Sequence, residues 1–320
     1  MSLGKRNLPS VVCIVGPTAS GKTEMSVRVA ERCGCEIVSA DSMQLYRGMD
    51  IGTAKPTEKE KRGIRHWMLD VAEPTENMTV VRYAEMARRC CDDIIARGKL
   101  PLIVGGTGQY VNAVIRDENF APSPESPEIR EKLAEFAEKH GAEALHDRLK
   151  KADPESAAKI HCNNVKRVVR ALEIIELTGK TLSGVYAGQE PPKDVYDAVM
   201  IGLEPTPREL LYSRIDRRVG VMLEAGLLEE TERLMKAGFS ETSFQAIAYK
   251  ELVPVIRGEE SLEAAAETIR RRSRNYAKRQ LTWFHADKRI KMLTYRNEDE
   301  YALCAEEICS IIKQKTGEVI

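Results

Sequence analysis

The octapeptide GPTASGKT at residues 16–23 directly follows the apolar run SVVCIV, and the helix-like TEMSVRVAERCG begins inside it at Thr23. Strand, glycine-rich turn and helix in that order satisfy the phosphate-loop pattern GxxxxGK followed by Ser or Thr. Such a loop works only at the end of a buried strand feeding a helix N-terminus, where backbone N–H groups converge on oxyanions. The first hundred residues repeat the arrangement. VVCIV, CEIVSA and LPLIVGG read as buried strands, each ending in a Gly-, Ser- or Asp-rich turn, and VVRYAEMARRCCDDIIARGK reads as a helix between them. Continuous apolar strands alternating with helices specify a parallel sheet covered on both faces. Its ligand belongs at the strands' carboxyl ends, where all three turns lie.

The pattern changes after Ile115. RDENFAPSPESPE is a proline- and acid-rich loop, and from residue 129 to about 186 the periodicity is helical, as in EIREKLAEFAEKHG and NNVKRVVRALEIIELTGK. VYDAVMIGLEP resumes the sheet. The helical TPRELLYSRIDRRVGVMLEAG and SLEAAAETIRRRSRNYAKRQLTWFHA follow, then a strand RIKMLTY and a closing helix from about Glu298. The expected fold is therefore α/β, a P-loop parallel-sheet core with helices on both faces and an inserted all-helical domain. Residues 1–116 and 194–320 form the catalytic core in this division, and residues 117–193 the insertion.

Composition narrows the function. At 49 Lys plus Arg against 49 Asp plus Glu the 320-residue chain is neutral, so a polyanionic partner must be met by a local patch. Eight cysteines without paired CxxC spacing and five scattered histidines give no zinc pattern, and reduced thiols in a cytoplasmic protein are expected. No run approaches the roughly eighteen apolar residues of a membrane span, and the start carries no apolar leader.

In the loop, Gly16, Pro17, Thr18, Ala19 and Ser20 supply amides, with Gly21 at the helix entry. Lys22 adds a point charge and Thr23 a hydroxyl suited to Mg²⁺. Whether a nucleoside triphosphate or a bare diphosphate is held stays open at this point. Asp41, just past the second strand, admits three roles: a ligand to magnesium-bound water, a general base, or a helix cap. The third turn, IVGGTGQY, offers Gly105, Gly106 and Gly108 for close backbone approach to a ligand and Thr107 for its hydroxyl.

Basic clusters supply the patch. Lys166, Arg167 and Arg170 project from one side of a helix whose apolar stripe includes Val165, Val168 and Leu172. Arg270, Arg271, Arg274 and Lys278 share a side of the long helix near Tyr276, Trp283 and Phe284, an arrangement suited to nucleic acid, although a core role for the last two is the simpler reading. Arg214 and Arg218, four apart, could clamp a diphosphate.

Taken in order, GPTASGKT, DSMQLYRGMDIGTAKP, GGTGQY, KRVVRALEIIELTGKTLS, SRIDRRV, QAIAYKE and YAKRQLTWF resemble the tRNA dimethylallyltransferases, with the match running from about Val11 to Phe284. The resemblance implies transfer of a dimethylallyl group from dimethylallyl diphosphate to N6 of the adenosine 3′ of the anticodon, in tRNAs reading codons that begin with U. It implies catalytic roles for Asp41, Thr107 and Arg218, diphosphate binding by residues 16–23, and Mg²⁺ near Thr23. It further implies contact with the tRNA anticodon stem-loop by Asp41, Ser42, Met43, Gln44, Thr107 and Arg130. The same holds for Lys166, Arg167, Val168, Val169 and Arg170, and for Gln245 and Lys250. The zinc finger of eukaryotic relatives is missing, which fits a bacterial-type enzyme; a monomer without a membrane partner is expected. Two departures stand out: Lys166 replaces a usual glutamine, and Ala248 a usual glycine. The alternatives are an adenylate isopentenyltransferase, a P-loop small-molecule kinase and a non-catalytic tRNA-binding protein.

Overall fold

The computed structural model describes residues 8–117, 125–186 and 191–316. Its chain divides into two compact units, residues 1–117 with 194–320, and residues 118–193.

The first unit is built on β1 (Ser10–Val15), α1 (Lys22–Cys33), β2 (Glu36–Ser39), α2 (Glu58–Lys61), β3 (His66–Trp67), α3 (Val80–Ala96), β4 (Pro101–Gly105), α4 (Gly108–Ile115) and β5 (Arg116–Asp117). The second unit carries α5 (Pro127–His140), α6 (Ala142–Ala152), α7 (Pro154–Lys159), α8 (Val165–Thr178) and α9 (Leu182–Tyr186). After β6 (Lys193–Asp194) come β7 (Asp197–Pro205), α10 (Arg208–Glu224), α11 (Leu227–Ala237), α12 (Tyr249–Ile256), α13 (Leu262–Ala286), β8 (Ile290–Tyr295) and α14 (Tyr301–Thr316).

Six strands form one parallel sheet in the order β3-β2-β4-β1-β7-β8, while β5 and β6 pair separately. Period-two alternation sends Val11, Cys13 and Val15 of β1 into the core on one face and Val12 and Ile14 into the core on the other. All five are fully buried, and each valine or isoleucine contributes roughly 1.5–3 kcal/mol by leaving water. Helices α3, α4 and α13 add Tyr83, Ala87, Val111 and Phe284 to the first face; α1 and α14 close the second with Met25, Val29, Ala305 and Ile308. The α/β parallel-sheet core with helices on both faces is thus the observed fold. The two-residue edge strand β3 had no signal in the sequence, being too short for any periodicity.

Register levels the strand ends. Val15 pairs with Gly105 and Ser39 with Val104, so the turns after β1, β2 and β4 emerge side by side at the carboxyl edge of the sheet. The amide of Thr107 donates to the carbonyl of Ala40, tying two of these turns together.

The second unit packs its helices around Leu133, Leu145, Leu149, Val168, Ala171 and Leu172. Ser126 caps α5, which has proline in its first turn, and Asp153 caps α7 while accepting from the amide and hydroxyl of Ser183. Most of RDENFAPSPESPE lies outside the described residues.

Candidate active site

Gly21, immediately before α1, holds φ at 69°, a conformation that favours glycine, and a Cβ there would come 2.2 Å from the Tyr301 hydroxyl. Conformation and space both require glycine. The Lys22 ammonium donates to the carbonyls of Gly16 at 2.9 Å and Pro17 at 2.6 Å, folding back on its own loop. Burial pushes its pKa down to about 7; the Asp41 carboxylate pulls upward and the Arg218 charge downward. The Arg218 guanidinium is also pushed down by burial, opposed by Asp41 and Glu60, and it donates to the Thr18 hydroxyl at 3.2 Å. Ser20 Oγ is buried in this loop without a hydrogen-bond partner.

Asp41 holds the second turn. Its Oδ1 accepts from the amides of Met43 at 2.9 Å and Gln44 at 3.4 Å, which is the capping role, while the residue also lines the cleft beside Lys22. Thr107 Oγ1 accepts from the Ser42 amide at 3.3 Å and donates to the Ser42 hydroxyl at 3.4 Å, bracing the turn that carries Asp41. The three glycines of the third turn are each required by packing within the protein itself. A Cβ at Gly105 would strike the Ala40 carbonyl at 2.1 Å, at Gly106 the Gln280 amide at 2.3 Å, and at Gly108 the Trp283 ring at 2.3 Å. Close approach is made by the protein's own chain.

A cleft of about 1320 Å³ opens over these turns. It brings together Thr18, Ala19, Ser20, Gly21, Lys22 and Thr23, the Asp41–Gln44 segment, Arg218, Gln245 and Lys250. Gly16 and Pro17 lie below, occupied by Lys22. Arg214 lines the same cleft as Arg218 but is paired there: it donates to Glu298 at 2.7 Å and to the hydroxyls of Tyr295 and Tyr301.

Sequence reasoning named Tyr276 only as an aromatic beside a basic row and did not single out Gln280 or Glu230. Tyr276 of α13 stands beside Thr107 and Gln280, its phenol pushed up to about 12 by burial and then by Asp41. Gln280, one turn on, accepts from the Thr18 amide at 2.9 Å and donates to the Gly106 carbonyl at 2.9 Å. Opposite, the buried Glu230 of α11 accepts from the amides of Asp50, Ile51 and Gly52 and from the Tyr249 hydroxyl, fixing the wall that follows DSMQLYRG. Gln280 and Glu230 are both buried polar side chains on helices, and their partners lie too far away in the chain for the sequence to reveal them.

Placed against known proteins, the chain matches the family model for IPP transferase over residues 44–287. It is 46% identical to the tRNA dimethylallyltransferase of Caldanaerobacter subterraneus subsp. tengcongensis over 95% of this chain and 98% of that one, and 50% identical to that of Bacillus licheniformis over 86% and 88%. The chain belongs to the IPP transferase family. Among solved structures, the full-length tRNA isopentenylpyrophosphate transferase of Bacillus halodurans superposes with a TM-score of 0.70 at 42% identity, covering 96% of this chain and 98% of that one. A eukaryotic dimethylallyltransferase acting on tRNA gives 0.77 at 28% identity, covering 98% and 81%.

Other basic positions of this IPP transferase family member are more heavily paired than their spacing implied. In the second unit Lys166 and Arg167 are exposed on α8, but Arg130 and Arg170 both bind the fully buried Glu173. The carboxylate three residues after Arg170 thus partly neutralises the cluster. Val168 and Val169 are buried in that unit's core and offer no side chain to a ligand. On α13, Arg270 pairs with Glu263 and Glu267, and Arg274 with Asp216 and Glu267, leaving Arg271 and Lys278 as exposed members of that row. Phe284 is core, and Trp283 packs against it. Ala248 sits at φ 95°, in a conformation L-residues rarely adopt. Among the described residues no helix is long and apolar enough to cross a membrane, and no three His, Cys, Asp or Glu side chains group as a metal site.

Proposed function

We propose that the chain transfers the dimethylallyl group of dimethylallyl diphosphate to N6 of the adenosine 3′ of the anticodon, in tRNAs reading U-initial codons, and releases diphosphate. One observation carries the reading: Lys22 and Arg218 flank the Asp41 carboxylate at a single strand-end cleft. Cations for a leaving diphosphate and an acceptor for a nucleophile's proton are what N-prenylation needs together. The relatives named tRNA dimethylallyltransferase support it.

In this reading the N6 lone pair forms the bond to the allylic carbon as the C–O bond breaks, and that bond's electron pair leaves on the diphosphate. The N6 proton passes to Asp41, whose Oδ1 is held by Met43 and Gln44 so that the carboxylate is already oriented. Lys22, the loop amides of residues 18–23 and Arg218 meet the developing oxyanion charge. Thr107 acts by positioning Ser42 beside Asp41. Thr23 offers Mg²⁺ a hydroxyl at the helix start, as suits an ion bound mainly through water and substrate phosphate oxygens. When bound there, Mg²⁺ would supply charge neutralisation to the diphosphate.

The target base must leave the stacked anticodon loop to enter the cleft. Ser42, Met43, Gln44, Gln245 and Lys250 line its path. The helical insertion, residues 117–193, grips the anticodon stem-loop through exposed Lys166 and Arg167, with Arg130 and Arg170 as paired contacts. A monomer is the proposed state, and a tRNA substrate suits an enzyme of the cytoplasm.

An adenylate isopentenyltransferase would have no use for the insertion. The test is a labelled-donor assay with an anticodon stem-loop and AMP side by side: label in the RNA supports the reading, and label only in AMP overturns it.

A further inference from the structure

Gln280 is a buried amide on α13, 6% exposed, and both ends of it are used across the sheet's carboxyl edge. Its Oε1 accepts from the amide of Thr18 in the phosphate loop, and its Nε2 donates to the carbonyl of Gly106 in the third turn, both at 2.9 Å. Three further observations show that this bridge is built into the site. Gly106 has no Cβ where one would stand 2.3 Å from Nε2. Thr18 is fixed a second time, through its hydroxyl, by Arg218. Thr107, the next residue after Gly106, holds the Ser42 amide and so the turn that presents Asp41.

We infer that Gln280 is a positioning residue for the transfer step, latching the loop that holds the leaving group to the turn that orients the acceptor side. This rests on the prenyl-transfer reading of the cleft. The two sets of groups come from different turns, and the covalent chain between them, from Thr18 to Gly106, is long and passes through α1 and α3. The sheet pairs the two strands as far as Val15 and Gly105, and Gln280 adds a direct brace between the turns beyond that pair. In-line displacement at carbon is sensitive to the spacing of those turns, and an error of about 1 Å costs on the order of 10²-fold in rate. Both ends of the amide are engaged by backbone groups of the protein, so its loss should appear in kcat more than in binding.

Two variants test it. Gln280→Ala removes both bonds. Gln280→Glu keeps an acceptor for Thr18 but turns a second oxygen toward the Gly106 carbonyl, a clash relieved only when the carboxyl is protonated and donates. We expect Gln280→Ala to lower kcat by roughly 30- to 100-fold while the Kd for inorganic diphosphate and the KM for the RNA move by less than about 5-fold. The activity of Gln280→Glu relative to the wild type should rise as pH falls, which a purely structural defect would not produce. Amide hydrogen exchange should quicken together in residues 16–20 and 105–108 of Gln280→Ala, whatever the reaction catalysed. Retained kcat in both variants, a rate loss matching a loss of folded protein, or exchange unchanged in either segment would overturn the latch. A wild-type protein that moves no prenyl group would instead defeat the reading of the cleft, and the exchange measurement would still decide the latch.

Discussion

The ammonium of Lys22 donates to the carbonyl oxygen of Pro17 at 2.6 Å, inside the loop that it is expected to serve. The side chain is satisfied on backbone carbonyls, and burial holds its pKa at about 7 against roughly 10.4 for a free lysine.

The consequence is proton linkage. Unfolding raises the pKa, so between about pH 7 and about 10.4 the unfolded chain binds the extra proton and Lys22 makes stability rise with pH. A bound diphosphate restores the charge. Binding of inorganic diphosphate near pH 8.5 should therefore take up close to one proton, seen as different calorimetric heats in buffers of different ionisation enthalpy. Lys22→Met should abolish the difference. Equal heats for the wild type would mean that Lys22 is already charged in the free protein.

Asp41 combines a cap with a proposed base, and the two are separable. Asp41→Asn keeps an oxygen for the Met43 and Gln44 amides but removes the charge, so the melting temperature should hold while kcat falls by ~10²- to 10⁴-fold. Asp41→Ala should lose the same activity and about 1 kcal/mol of stability besides. An Asn variant with full kcat would leave Asp41 as a cap only.

Glu230 braces the cleft wall from behind. Glu230→Gln replaces the shared acceptor of three amides and a phenol with an amide that can match only part of that set, and it should cost roughly 1.5–3 kcal/mol in denaturant unfolding. Faster hydrogen exchange should appear at residues 50–55. If exchange there stays unchanged, the wall is held by other contacts, such as Lys55 to Asp50 and Asp70.

Ala248 pays a conformational penalty at φ 95° that glycine would not. Ala248→Gly should raise stability by about 1 kcal/mol, read as an upward shift in the thermal midpoint. A downward shift would show that its buried methyl group contributes more than the backbone relaxation returns.

The centre of the sheet was legible because β1, β2 and β4 are largely apolar and each stops at a glycine-, serine- or aspartate-rich turn; β1 with GPTASGKT leaves little freedom. Asp41 and Lys22 could be placed from the strand ends. What escaped was anything defined by partners distant in the chain. Gln280 lies 262 residues from Thr18, and nothing in YAKRQLTWF says which of its polar residues turns inward. The glycines of GGTGQY were visible, but the groups filling the space they leave, Ala40, Gln280 and Trp283, were not. Charge spacing likewise put Arg214 with Arg218, whereas Glu298 and two tyrosines of the last strand and helix claim Arg214.

The central claim is that carbon is the atom transferred. It is tested most directly with dimethylallyl diphosphate labelled separately in its prenyl carbons and its phosphorus, incubated with an anticodon stem-loop. The account predicts the carbon label in RNA and all of the phosphorus label in free diphosphate. Phosphorus label on the RNA would contradict it.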